Sequence, residues 1–344
     1  MLLAPHRRFL PAAGRFRTRV FVFDRSWRIV WEGIVFGDAN SKRVALNALT
    51  RAYAQGEDMA YKVALAQITP ILGEVRRNVE IHEEAIRRAA QSGARLVVFP
   101  ELSLTGYHLQ DLTAEVALAR DGEVLNRLAA FAAEVGVDAV VGFPERSPEF
   151  FYHVAAAYLS AGKVVAVHRK VYLPTYGMFD ESRYFRAGDA ARAFPTQFGP
   201  AGVLICEDAW HPTLPYLLAL DGAQTLIIVS SGPGRGVVGP ALASAETWEL
   251  ILRTYAQLFG VYVLFANRAG FEDGVGFWGG SAVVDPRGRV VSQGAIYEDD
   301  LVLAEVNVDL VGQARLASPL LAAERPEIAM KELARILRGR GWPW

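Results

Sequence analysis

From Tyr61 onward, hydrophobic and polar positions alternate in a regular rhythm. The apolar run KVALAQI (62–68) is followed by a helical pattern from Asn78 to Gln91, closed by Gly93, and then by a second apolar run, RLVVFP (95–100). Short apolar runs flanking a 3.6-residue periodicity predict a βαβ unit. Further strands are predicted at 138–143, 153–159, 163–168, 202–206, 225–230, 261–266, 281–286 and 301–308, with helices near 112–135, 213–221, 240–259 and 326–338. This order predicts a layered α/β domain of roughly 260 residues. The segment VAAAYLSAGKVVAVH reads as a hairpin turning at Ser160-Ala161-Gly162, so the sheets are expected to be mixed rather than purely parallel. Upstream, between Phe21 and Phe36, apolar residues flank Asp24-Arg25-Ser26 and Trp31-Glu32-Gly33, the pattern of a small hairpin that is marginal on its own. No internal repeat or low-complexity stretch is present.

Composition narrows the picture. The 344 residues carry 36 basic and 37 acidic side chains, a net charge of -1, which gives no global electrostatic case for nucleic acid or an acidic membrane surface. A hydrophobic fraction of 52%, with 18 Phe, 12 Tyr and 7 Trp, supplies ample core and excludes a disordered chain. Of the basic residues 31 are Arg and 5 Lys, but the Arg are scattered, a bias of composition rather than a ligand signal. Residues 1–60 have a balance of +5 and residues 61–344 a balance of -6, so the chain changes character near Met59. Met59 is the expected true start, with residues 1–58 a dispensable extension. A single cysteine rules out an intramolecular disulfide and any Cys-rich metal site, and fits a reducing, cytoplasmic setting. No stretch reaches about 18 apolar residues, so no membrane span is expected. The first 23 residues lack the h-region of a secretory signal; they also lack acids, a transit-peptide trait, but contain no Ser.

Open α/β sheets place ligands at the carboxyl ends of their strands. Three predicted ends carry reactive groups: Glu101 after RLVVFP, Lys170 after KVVAVHR, and Cys206 at the end of AGVLIC. A lone cysteine is more often a small buried hydrophobe. Together, however, the three form a coherent set. A thiol near pH 7 needs a base or a cationic neighbour to become a nucleophile. Glu101, flanked by Pro100 and Leu102, suits a desolvated base. Lys170 and the backbone N–H of Glu207 suit an oxyanion, at about 3 kcal/mol for each such donor.

The blocks VVFPELSLTGY (97–107), HRKVYLPTYGMFDESRYFRAG (168–188) and GVLICEDAW (202–210) resemble the three signature blocks of the nitrilase, or carbon–nitrogen hydrolase, superfamily. The resemblance runs from about Tyr61 to Val308. It implies a four-layer α-β-β-α sandwich with two mixed sheets, a hydrolase domain over 59–312 and a C-terminal tail with a helix over 313–344. It also implies a Glu101–Lys170–Cys206 triad that cleaves a non-peptide carbon–nitrogen bond through a thioester, without a cofactor or metal. VVGFPER (140–146) resembles the block with the family's second glutamate, so Glu145 is expected to orient Lys170; an exposed loop Glu is the other reading. ANRAGFEDGVGFWGGSAVVDPRG (266–288) resembles a late block whose Phe277, Trp278, Gly279 and Gly280 support the site.

The second block is most similar to the glutaminase domain of glutamine-dependent NAD synthetases, and PELSLTGYHLQDL, ICEDAWHP and PLLAAERPEI lean the same way. Tyr176 and Phe179 would then line the substrate pocket, ordinary rim or core aromatics being the alternative, and Tyr107 falls in the same class. The resemblance implies a linear amide substrate, glutamine-like or short and aliphatic. Its alternatives are a nitrile, cleaved through a thioimidate, and a glutaminase subunit serving a separate ammonia-accepting synthetase. A silent binding protein is the alternative from outside enzymes. A homo-oligomer, dimeric or larger, is expected by resemblance alone.

Other signals are weaker. SSGPGRGVVG (230–239) lacks the GK[ST] ending of a phosphate loop, but it sets Ser230, Ser231 and Arg235 on a strand-end loop where they can meet substrate. The six histidines show no metal-ligand spacing. A Cys206–His211 dyad would need a base five residues along to point back at the thiol, and His168 is expected to pack near Lys170. No GxSxG elbow is present.

Overall fold

Period-two burial decides the layers. The computed structural model describes residues 18–23, 29–35, 60–238 and 241–341. Contacts divide the chain into two compact units, Met1–Asp58 and Met59–Trp344. In the first, β1 (Thr18–Phe23) and β2 (Ile29–Val35) pair antiparallel. Trp31, Glu32 and Gly33, expected to turn, lie inside β2 and pair with Val22, Phe21 and Val20. The other expected turn, Asp24-Arg25-Ser26, lies outside the described residues.

The second unit holds two six-stranded sheets. One comprises β3 (Ala60–Gln67), β4 (Ala94–Val98), β5 (Asp138–Arg146), β6 (Tyr152–Ser160), β7 (Lys163–Arg169) and β18 (Asp300–Asn307), in the order β18-β3-β4-β5-β6-β7. The other comprises β8 (Phe194–Thr196), β9 (Gly199–Ile205), β10 (Thr225–Ser230), β13 (Tyr262–Asn267), β16 (Ala282–Val284) and β17 (Val290–Gln293), in the order β17-β16-β13-β10-β9-β8. Small hairpins pair β11 (Val237–Val238) with β12 (Ala241–Leu242) and β14 (Ala269–Glu272) with β15 (Val275–Trp278). Both sheets are mixed: β3-β4-β5 and β9-β10-β13 run parallel, and the outer strands are antiparallel.

Successive side chains of a strand face opposite ways. Val63 and Leu65 of β3, Leu96 and Val98 of β4, and Val154, Ala156 and Tyr158 of β6 accordingly share one core with Val203, Ile205 and Leu226 of the other sheet. The intervening Ala64, Ala66, Val97, Ala155 and Ala157 pack on helices α1 (Val75–Gln91) and α2 (Glu123–Glu134). Helix α1 buries Asn78, Val79, His82, Ala85, Ile86 and Ala89, one stripe of a 3.6-residue helix. Two helices cover the second sheet, α3 (Thr213–Leu220) and α4 (Ala243–Phe259), the latter through Trp248, Leu252, Tyr255 and Ala256. The result is the four-layer α-β-β-α sandwich. The tail carries α5 (Asp309–Ala317) and α6 (Pro326–Arg340).

Two expected elements are shaped differently. The single helix at 112–135 is broken, because Leu118 bridges to Glu145 of β5 through Leu118 N to Pro144 O and Arg146 N to Leu118 O, each 2.8 Å. Strand β9 stops at Ile205, one residue early, because Cys206 has φ +44° and opens a 3-10 turn. Among the described residues, no helix is long and apolar enough to cross a membrane.

Candidate active site

The parallel strands of both sheets end on one side, and their ends supply the candidate chemistry. Glu101 lies three residues past β4, Lys170 one past β7, Cys206 one past β9, and Ser230 ends β10. Glu101 can approach because β5 carries Gly142 there: a Cβ at that position would lie 2.5 Å from Leu102 N and 2.9 Å from Glu101 C. Positive φ at Leu102 (50°) turns the chain away from the strand at once.

The geometry joins the three groups. Lys170 is fully buried, and its Nζ donates to Glu101 Oε1 and to Glu181 Oε1, both at 2.7 Å. Glu101 Oε2 accepts the backbone N–H of Ser231 at 2.8 Å, and Ser231 Oγ donates back to Glu101 O at 2.9 Å. Ser230 Oγ lies 3.4 Å from Cys206 Sγ. Burial pushes the Cys206 thiol up and the Glu101 charge adds to this, while Lys170 opposes both. The resting sulfur therefore holds its proton, and reaction needs a base beside it. Burial works against the Lys170 charge, but Glu101 and Glu181 hold its pKa well above the ordinary value, so the ammonium is fixed.

Asp208 ties the nucleophile turn to the Lys170 segment. Its Oδ1 accepts from Val171 N (2.9 Å) and Tyr172 N (3.0 Å), and its Oδ2 from Ile205 N (3.1 Å), with His168 Nε2 2.8 Å away. His168 thus braces the site, as its place beside Lys170 suggested. His211 stacks on Tyr172 at 3.5 Å and approaches Glu207, leaving no dyad with the thiol.

Around this cluster lie the pocket candidates. Tyr107 Oη donates to Glu181 Oε1 at 2.6 Å. Phe179 is buried and sits edge-on to both Tyr107 and Tyr176. Tyr176 is exposed, with its hydroxyl 3.0 and 3.1 Å from the Glu207 carboxylate oxygens. The Arg235 guanidinium lies 4.4 Å over the Phe179 ring. Glu207, Tyr176, Phe179 and Arg235 therefore form a rim carrying one negative and one positive charge; Phe277 and Trp278 are buried, with Phe277 edge-on to Tyr107 at 5.9 Å.

Glu145 is a correction. It is buried, but Arg120 Nε (2.6 Å) and Arg169 Nε (2.6 Å) and Nη2 (3.0 Å) occupy its oxygens, which therefore do not orient Lys170. Glu181 takes that place, eleven residues beyond Lys170. The signal was legible as an acid embedded in the aromatic run YGMFDESRYF, yet nothing in spacing alone turns that carboxylate inward.

Residues 62–316 match the family model described as carbon–nitrogen hydrolase. The chain belongs to the carbon–nitrogen hydrolase family. This hydrolase is 33% identical over 264 residues to the glutamine-dependent NAD(+) synthetase of Thermotoga maritima, covering 75% of the chain and 44% of that protein. The solved glutamine-dependent NAD+ synthetase of Acinetobacter baumannii is 30% identical, with a TM-score of 0.65 over 73% of the hydrolase and 46% of that chain. Nit3 of Saccharomyces cerevisiae, a member of branch 10 of the nitrilase superfamily, is 28% identical, with a TM-score of 0.66 over 76% of the hydrolase and 95% of that chain. The chain thus spans about half the length, or less, of the synthetases it matches.

Proposed function

We propose that the protein hydrolyses a linear carboxamide bearing an amino-acid head, glutamine foremost, to the carboxylic acid and ammonia. The observation that carries this is the buried Lys170 held between Glu101 and Glu181 beside the Cys206 thiol. Glu101 takes the thiol proton, sulfur bonds to the amide carbon, and Lys170 with the Glu207 N–H holds the oxyanion. Glu101 returns the proton to nitrogen, the carbon–nitrogen bond breaks, and ammonia leaves a thioester. Water then gives a proton to Glu101 and its oxygen to the acyl carbon, and the carbon–sulfur bond breaks as the sulfur recovers the proton. No cofactor enters this sequence.

Glutamine is favoured by the rim. Glu207 suits an α-ammonium and Arg235 an α-carboxylate, with Tyr176 and Phe179 packing the chain between them. The named activity of the matched synthetases, which are glutamine-dependent, supports the same choice. Kinship with synthetases also favours a second reading, in which ammonia passes to a separate synthetase. In that case glutamine turnover is low alone and rises when the partner is added. The test is ammonia release from glutamine, short aliphatic amides, N-carbamoyl amino acids and nitriles, with Cys206→Ala as control. Turnover of glutamine, lost in the variant, supports the proposal; turnover of nitriles alone overturns it.

A further inference from the structure

Arg268, just before β14, and Glu272, at its end, form a buried ion pair that the mechanism above does not use. Arg268 has no exposed surface, and its Nη1 donates to Glu272 Oε2 at 2.8 Å while its face lies 4.2 Å from the Phe277 ring centroid. Nε and Nη2 of this guanidinium have no hydrogen-bond partner among the described residues. Burying a cation so incompletely bonded is costly to stability. Glu272 Oε1 accepts the backbone N–H groups of Tyr107 (2.9 Å) and His108 (2.8 Å). The turn is pressed against this carboxylate, since a Cβ on Gly106 would lie 2.6 Å from Glu272 Oε2. Against the upward push of burial, His108 and Arg268 hold the Glu272 carboxyl at about 2, so it stays an anionic acceptor. Arg268 is anchored at its other end, where its N–H donates at 3.0 Å to the carbonyl of Ser230, the residue beside Cys206 Sγ.

We infer that Arg268 and Glu272 are positioning residues: they clamp the 106–108 turn so that the Tyr107 hydroxyl meets Glu181, and through Glu181 they fix Lys170 relative to Glu101 and Cys206. The inference rests on the thiol chemistry proposed above but adds residues from a part of the fold that touches none of the reacting groups. A shift of about 1 Å in such a cluster costs on the order of 100-fold in rate.

The test is a double-mutant cycle on the full chain. Cys206 is the only cysteine, so the rate of its alkylation by iodoacetamide reports the cluster without reference to any substrate. Glu272→Gln and Tyr107→Phe are each expected to slow alkylation by about tenfold or more, and to lower kcat for glutamine with little change in KM. The double variant is expected to be no slower than the slower single one, because Glu272 acts only through the Tyr107 hydroxyl. Losses that multiply, or wild-type alkylation by either single variant, overturn the inference. If Glu272→Gln does not accumulate as folded protein, Arg268→Lys replaces it in the same cycle with the same criteria. If the wild-type protein releases ammonia from no amide, the proposed function fails and the alkylation cycle still decides this point.

Discussion

Glu181 Oε1 lies 2.7 Å from Lys170 Nζ and 2.6 Å from Tyr107 Oη, so one oxygen takes both donors while its twin, Oε2, is buried with no hydrogen-bond partner among the described residues. Burial pushes this carboxyl up to about 7, although Lys170 pulls the other way. Below that pH it gains a proton and Lys170 loses one of its two anionic acceptors. The rate is therefore expected to fall as pH drops through about 7, and Glu181→Gln should be slower but lack this limb. The sign for stability is opposite. A folded pKa above the ordinary carboxyl value gives a contribution present below about 4.5 and lost as pH rises through about 7. The melting temperature of Glu181→Gln should gain on wild type between pH 5 and 8; a constant difference would count against the burial assigned to this group.

Gly142 and Glu101 predict a second outcome. A methyl group at 142 would press on Pro100 O, Leu102 N and Glu101 C, all backbone atoms that cannot swing aside. Gly142→Ala should cost about 1–3 kcal/mol of stability, as overpacking does. It should also displace the Glu101 carboxylate, so alkylation of Cys206 should slow even at temperatures where the variant is fully folded. Unchanged alkylation would show that the Glu101 turn tolerates the shift.

Much of this site was legible because strand ends concentrate chemistry. Glu101, Lys170 and Cys206 follow apolar runs that read as strands of a layered α/β domain, whereas the order of the four layers came from the family resemblance alone. What escaped depends on contacts between segments far apart in the chain. Glu145 and Glu181 both stand near plausible partners in sequence. Only the fold shows that Arg120, carried by the bridge at Leu118, reaches Glu145 first. Glu272 is farther still, 165 residues from Tyr107, and its hairpin is too short for periodicity to reveal. The early end of β9 likewise reflects positive φ at Cys206, which a β-like run of apolar residues conceals.

Glu145 now predicts a structural loss rather than a chemical one. Its carboxylate is buried between two arginines that remain partly exposed, and their bonds hold it below the usual carboxyl range against the push of burial. Removing one member of a buried ion pair typically costs 3–5 kcal/mol, and rehydration of the freed arginines places Glu145→Ala near the low end, about 3 kcal/mol. Below its melting transition the variant should keep kcat within about threefold of wild type. A hundredfold fall in kcat without loss of stability would instead restore a direct role beside Lys170.

The rim charges predict a split between substrates. Arg235 touches no reacting group; it stacks on Phe179 and would meet only the head of a glutamine molecule. A charge-assisted hydrogen bond of about 1.5–3 kcal/mol, lost equally from ground and transition states, raises KM without altering kcat. Arg235→Ala is therefore expected to raise KM for glutamine by about 10- to 100-fold and leave kcat near wild type. Propionamide, with no carboxylate to bind, should show neither change, although loss of the cation from the Phe179 face also loosens the wall slightly. Equal effects on both amides would mean that Arg235 shapes the pocket rather than reading the substrate's charge. A fall in kcat for both would place it in the chemistry, contrary to its position over Phe179.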